Sequence, residues 1–155
     1  MKKRHLALKA RIRTELEEME LTVGRIEKGW TFAKDTGDDF YLDSVALNLH
    51  SFYTAIEKTF ELIAAEIDEA KLFGENWHQE LLKQMASEIE LVRPAVISKE
   101  LRNVLDEYGG FRHVVRNVYS FNLSAERIGP LVQRLRETFT TLVAEMGEFL
   151  MFLSS

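Results

Sequence analysis

Apolar residues recur at intervals of three and four along most of the chain, which is the spacing of helices with one buried face. The clearest run predicts a helix from Asp39 to Lys71, and its apolar positions are Val45, Leu49, Phe52, Ile56, Phe60, Ile63 and Ile67. An earlier stripe of apolar residues predicts a first helix that ends at residues 35–38. The stripe consists of Leu16, Met19, Val23, Ile26 and Trp30. The sequence contains no sustained alternation of strand type.

The second half of the chain predicts three more helices. The third carries Trp77 to Val92 and ends at Pro94, because proline cannot continue a helix. The fourth starts behind Ser98 as N-cap, has a kink or short break at Gly109-Gly110, and resumes to about Phe121.

Ser124 is predicted to cap the last helix, whose regular part starts at Pro130. Its buried stripe is Ile128, Leu131, Leu135, Phe139, Leu142, Met146 and Phe149. We therefore expect an all-α fold, an antiparallel up-and-down helical bundle of about five helices, as a single domain over residues 1–155.

Composition narrows the class of protein. The 155 residues are 46% hydrophobic and 29% charged, as in globular domains. The absence of cysteine excludes disulfides, thiolate metal sites and cysteine nucleophiles, and it suits a cytoplasmic location. No uncharged apolar run approaches the ~20 residues of a membrane span, so neither a membrane anchor nor a signal peptide is expected.

The net charge of −5 argues against non-specific nucleic-acid binding, so any such site must be a local basic patch. Six of the first thirteen residues are basic, and we interpret them as a solvated helix end: Lys2, Lys3, Arg4, Lys9, Arg11 and Arg13.

The segment from Phe111 to Tyr119 separates cleanly into an apolar and a polar face at about 100° per residue. Arg112, Arg116 and Tyr119 fall on nearly one stripe of the polar face. Arginines four residues apart repel each other, and a phosphate lying between them would reverse that repulsion. The other interpretation is a solvated face paired with acidic residues of a neighbouring helix.

This segment resembles the signature of the HEPN superfamily (higher eukaryotes and prokaryotes nucleotide-binding), in particular its HepT-like toxins. Their motif is Arg, four residues, His, one residue, Tyr; here it reads Arg112, four residues, Asn117, Val118, Tyr119. Residues 48–57 and 77–85 also resemble stretches of HepT-like chains, and the order of helices agrees.

The resemblance implies a helical homodimer that acts on RNA as a metal-independent endoribonuclease, with neither cofactor nor metal site. Arg112 would stabilise charge on the phosphate, and Arg116 would help to bind the substrate. It further implies a partner nucleotidyltransferase, the antitoxin, that attaches AMP to Tyr119. A tyrosine that packs its ring at an interface is the simpler alternative for Tyr119.

The chain departs from the motif at Asn117, because an amide cannot act as a general acid or base near neutral pH. His113 is the candidate to replace the missing base, with Asn117 orienting the substrate or the imidazole. His113 is equally well interpreted as a histidine at the rim of the site.

On the long helix, Tyr53 and Glu57 share a face near His50. These residues either line the same cleft or are packed in the ordinary way. His5 and His78 show no partner pattern.

Two further functions are compatible with this sequence. A catalytically inactive module that engages a nucleotidyltransferase or RNA is favoured by Asn117. A purely structural partner protein would be favoured by arginines paired with acids on the outer face of a monomer.

Overall fold

The computed structural model describes the backbone of residues 3–117 and 124–155, and the side chains of residues 5–111 and 124–155. Over these ranges the chain forms five α-helices and no strand, which confirms the all-α prediction. The helices are α1 (Lys3–Thr36), α2 (Phe40–Glu66), α3 (Trp77–Met85), α4 (Lys99–Asn117) and α5 (Ala125–Leu153).

Helix α1 runs antiparallel to both α2 and α5, and these three helices form the body of the bundle. Arg11 pairs with Glu66 near one end of α1, whereas Gly29 near its other end lies against Val45 close to the start of α2. The predicted stripe of α2 is buried from Val45 to Ile63, and that of α5 from Ile128 to Phe149. These two stripes and the buried face of α1 make one core.

Two contacts fix α5 along α1. The exposed guanidinium of Arg136 lies between two carboxylates of α1, at 2.6 Å from Glu20 and 2.6 Å from Glu27. Two turns earlier on α5, the backbone of Gly129 meets the ring of Trp30, whose nearest carbon is 3.3 Å from the position that a Cβ would take.

The first helix begins earlier than its stripe indicated. It is already formed at Lys3, and Leu8 and Ile12 continue the buried face by two turns. The interpretation of the basic N-terminal segment as solvated is wrong for Lys9, which is buried and donates a hydrogen bond from Nζ to Ser154 Oγ. The predicted second helix was too long at its end, since α2 stops at Glu66.

The third helix ends at Met85, seven residues before the predicted Val92. The chain then makes a tight turn in which Ile89 and Arg93 exchange backbone hydrogen bonds and Leu91 has a φ of 67°. The Arg93 side chain holds this turn. It forms hydrogen bonds to Asp68 from Nε at 2.6 Å and from Nη2 at 2.8 Å, and donates to the carbonyls of Gln84, Ser87 and Pro94.

Helix α4 runs through Gly109-Gly110 without the predicted break. Ser98 caps it as expected, because its Oγ accepts a hydrogen bond from the amide of Leu101 at 3.0 Å. Ser124 likewise caps α5 by accepting from the amide of Arg127. The prediction that the regular part of α5 starts only at Pro130 is wrong, because the helix is formed from Ala125 and carries Pro130 inside its second turn.

No helix in the described ranges is long and apolar enough to cross a membrane. Within the same ranges, no three His, Cys, Asp or Glu side chains lie close enough together to hold a metal ion.

Candidate functional site

The C-terminal half of α4 carries the residues that the sequence singled out. Arg112, His113, Arg116 and Asn117 all lie within the helix, so their backbones follow one another on consecutive turns. Their side chains lie outside the described set, and Tyr119 lies outside the described residues altogether. The assignment of these residues to a site therefore stays a prediction, and the structure adds what surrounds this end of the helix.

Two aromatic side chains fix α4 just before Arg112. Tyr108 packs edge-on against Phe52 of α2, with ring centroids 5.9 Å apart, and its hydroxyl donates to the carbonyl of Leu131 in α5 at 2.6 Å. Burial raises the pKa of Tyr108 to about 12. Helices α2 and α5 are thus both tied to α4 one turn ahead of the motif.

Tyr53 occupies space that a side chain at residue 109 would need. Its hydroxyl oxygen is 2.9 Å, and its ring carbon Cζ 3.0 Å, from where a Cβ of Gly109 would stand. Any larger residue would collide with the buried phenol, and this explains why glycine stands here within a regular helix. Since residue 109 precedes Arg112 by three positions, Tyr53 lies beside the segment that carries the motif.

Glu57 lies one turn after Tyr53 on α2 and pairs with His78 on α3. Glu57 Oε2 and His78 Nδ1 are 2.5 Å apart. The Glu57 side chain is 3% exposed, whereas that of His78 is 31% exposed. A buried carboxylate is therefore joined to an imidazole that reaches the surface.

This pair corrects the sequence analysis, in which His78 had no partner pattern. Tyr53 and Glu57 are buried, as the packing interpretation predicted, while His50 is half-buried on the same helix. One signal in the sequence could have pointed to the pair: Glu57 places a carboxylate next to the most apolar stripe of the chain. A buried carboxylate requires a partner, and a histidine is one of the few side chains that can supply it.

The Trp77 and His78 rings lie with their centroids 3.6 Å apart. Trp77 also lines a cavity of about 460 Å³ with Glu61, Lys71 and apolar side chains of α2, α3 and the segment between them. Glu61 and Lys71 bring one negative and one positive charge to this cavity.

A carboxylate bound to one nitrogen of an imidazole orients the ring and stabilises the imidazolium form. With Glu57 ionised, Nδ1 of His78 carries the hydrogen, because a carboxylate only accepts. In the neutral ring the lone pair is then at Nε2.

The described residues form an all-α bundle, which is the fold class of the protein. The family described as HepT-like protein matches residues 44–153, well over half of the chain, and the protein belongs to that family. The matched range includes all but the first four residues of α2 and the whole of α3, α4 and α5, and hence both the motif segment and the pair of Glu57 with His78. No curated protein and no solved structure matches the chain significantly.

Proposed function

We propose that this is a HepT-like toxin-type protein that acts on RNA, as a metal-independent endoribonuclease with the degenerate motif Arg112-x4-Asn117-x-Tyr119. The observation that carries the proposal is the family match across residues 44–153, which spans the motif as well as the helices that pack on it. The continuity of α4 through Gly109-Gly110 supports it, because Arg112 and Asn117 then belong to one helix.

The proposed reaction is the attack of a ribose 2′-hydroxyl on the adjacent phosphate. Arg112 stabilises the charge that develops on the phosphate oxygens, and Arg116 binds the backbone of the substrate. Asn117 cannot serve as the base and instead orients the RNA or an imidazole. The base is then a different residue, for which His113 is the candidate on the helix itself.

The proposed assembly is a cytoplasmic homodimer formed by one HepT-like domain over residues 1–155. Two copies would bring two motif helices together, which doubles the local positive charge in a chain whose net charge is −5. The proposed antitoxin is a partner nucleotidyltransferase that attaches AMP to Tyr119. That modification would add negative charge next to the arginines and oppose RNA binding.

An inactive binding module is the second candidate, and Asn117 is the observation that favours it. Such a module would engage RNA or the nucleotidyltransferase without turnover. Losing a general acid or base costs ~10²–10⁴ in rate, enough to abolish a modest activity.

The experiment that tests the proposed function restores the motif. Purified wild type and Asn117→His are incubated with single-stranded RNA in the presence of a chelator, with Arg112→Ala in both backgrounds as the control. We expect Asn117→His to raise the rate by ~10² or more and Arg112→Ala to abolish cleavage, leaving no 2′,3′-cyclic ends. A folded Asn117→His protein that neither cleaves RNA nor inhibits growth when expressed would favour the inactive module.

A further inference from the structure

Helix α4 runs in the opposite direction to α2. The amide of Ser98, the N-cap of α4, donates to Glu145 in the last third of α5 at 2.6 Å, whereas Tyr108 donates to Leu131 near the start of α5. Helix α4 is therefore antiparallel to α5. Since α2 and α5 are both antiparallel to α1, they run in the same direction, and α4 is antiparallel to both.

The contact of Tyr53 with the backbone of Gly109 then fixes which residues of α2 and α4 lie at the same level. Toward the start of α2, His50 lies three residues before Tyr53, which is a rise of about 4.5 Å. Toward the end of α4, Arg112 lies three residues after Gly109, which is the same rise in the same direction. His50 and the backbone of Arg112 are therefore level with each other in the bundle.

His50 also lies on the side of α2 that packs on α4. Residues 46, 50, 53 and 57 follow one another at steps of four and three, so they form one stripe of the helix. Tyr53 touches α4 from this stripe, and Ala46 and Glu57 are buried on it, whereas His50 is half-buried. The imidazole thus stands where the core meets the surface, at the level of the motif arginine.

The proposed cleavage moves two protons, because the 2′-hydroxyl loses one and the leaving 5′-oxygen gains one. In an in-line displacement the attacking and leaving oxygens lie on opposite sides of phosphorus. His113 on α4 is the candidate for the first transfer. A group on the helix that faces α4 is better placed for the second transfer than another group on α4 itself.

From this arrangement we infer that His50 is the general acid of the proposed RNA cleavage and protonates the leaving 5′-oxygen. The inference rests on the proposed function and adds the residue for its second proton transfer. An imidazole suits this role because it both holds and releases a proton near neutral pH. Asn117 cannot take the role, since an amide does not exchange a proton in that range.

The atoms and protons of the step balance. As the 2′-oxygen bonds to phosphorus, its proton passes to the base. The bond from phosphorus to the 5′-oxygen breaks, and the imidazolium of His50 gives its proton to that oxygen. The products are a 2′,3′-cyclic phosphate and a 5′-hydroxyl. His50 ends neutral and the base ends protonated, and exchange with water restores both.

The test uses two single-stranded RNA oligonucleotides that differ in one atom, with a chelator present. One has the ordinary 5′-oxygen at the cleaved bond; the other has a 5′-sulfur, which leaves as a thiolate and needs no proton. Wild type is compared with His50→Gln, in which the amide still forms hydrogen bonds but cannot donate a proton to the leaving group. Ser51→Ala is the matched control, because Ser51 is the exposed neighbour of His50 on α2.

We expect His50→Gln to lower kcat on the ordinary RNA by ~10²–10⁴ with little change in KM. The same variant should cleave the 5′-sulfur RNA at nearly the wild-type rate, which also shows that it is folded and binds RNA. Ser51→Ala should cleave both RNAs as wild type does. If wild type cleaves too slowly to measure, the same comparison is made in the Asn117→His background.

The possible failures are distinguishable. If Arg112→Ala abolishes cleavage while His50→Gln leaves it unchanged, the proposed function stands and the inference is overturned. Equal losses on the two RNAs would show that His50 acts as the base or as a positioning residue, and would also overturn its assignment as the acid. If neither wild type nor Asn117→His cleaves either RNA, the proposed function fails and the inference fails with it.

Discussion

The hydroxyl of Tyr53 on α2 and the backbone of Gly109 on α4 lie closer than any side chain at residue 109 would permit. The phenol oxygen stands 2.9 Å from the place of the missing Cβ, and the Tyr53 ring is buried among core residues. The neighbouring Gly110 has no atom within 4 Å of the same position. The two adjacent glycines of α4 thus differ in their surroundings, because Tyr53 crowds Gly109 and nothing crowds Gly110. A substitution at Gly110 therefore serves as the control for the same substitution at Gly109.

The first prediction compares alanine at these two positions. Inside a helix, alanine is more favourable than glycine by about 1 kcal/mol. Gly110→Ala should therefore raise the free energy of unfolding by up to that amount. Gly109→Ala must also displace the Tyr53 ring, so it should be less stable than Gly110→Ala by about 1–3 kcal/mol. Urea unfolding measures the difference, and equal stability of the two variants would show that the approach of Tyr53 is not tight.

The second prediction concerns the buried ion pair of Arg93 with Asp68, whose side chains are 0% and 1% exposed. Arg93→Met leaves a buried carboxylate without its cation and should cost about 3–5 kcal/mol. The control is Arg134→Met, which breaks the exposed pair with Glu107 and should cost less than about 1 kcal/mol. The midpoints of chemical unfolding report both values; similar losses would mean that the buried pair does not hold the turn after α3.

The third prediction is a loss of stability at alkaline pH. Because burial raises the pKa of Tyr108 to about 12, the folded protein keeps this proton at pH values where the unfolded chain, with a pKa near 10, releases it. The contribution is complete below about pH 10 and is lost as pH rises to about 12, on the order of 2 kcal/mol. Tyr108→Phe should reduce the fall in unfolding free energy over this interval, and an unchanged fall would assign it to other groups.

The fourth prediction is that the protein is a dimer at micromolar concentration. The proposed site needs a second copy so that two motif helices meet, and the interface should include the polar face around Arg112. Light scattering gives the mass in solution, and Arg112→Glu should shift the equilibrium toward monomer. A monomeric wild type would remove the argument for a shared site.

The fifth prediction concerns regulation by the partner enzyme. Incubation with the cognate nucleotidyltransferase and ATP should attach AMP to Tyr119 and suppress RNA cleavage. Peptide mapping by mass spectrometry identifies the modified tyrosine, and Tyr119→Phe should remain unmodified and active. Modification at Tyr41, or none at all, would separate this protein from the toxins that it resembles.

The sequence predicted those parts of the fold that burial alone determines. The stripe of α2 was read correctly because every third or fourth residue faces the core, and periodicity reports that directly. The caps at Ser98 and Ser124 were also found, since capping uses a local signal. Such features depend on residues within one or two turns of each other.

Features that join distant residues were missed. The end of α3 depends on Arg93 reaching Asp68, and a pair separated by 25 residues leaves no periodic trace. The break predicted at Gly109-Gly110 was wrong because glycine permits close approach as well as bending. The pairing of Glu57 with His78 joins two helices across 21 residues and was likewise invisible. The roles of Arg112, His113, Arg116, Asn117 and Tyr119 stay predictions.

The guanidinium of Arg136 has a consequence for how the two longest helices align. Glu20 and Glu27 stand two turns apart on α1, and Arg136 is centred between them. Sliding α5 by one turn, about 5.4 Å, would carry Arg136 away from one of these carboxylates. The same slide would put a residue with a side chain opposite Trp30, where Gly129 now gives room. The ion pairs of Arg136 and the space that Gly129 leaves for Trp30 therefore both select the same axial position of α5 along α1.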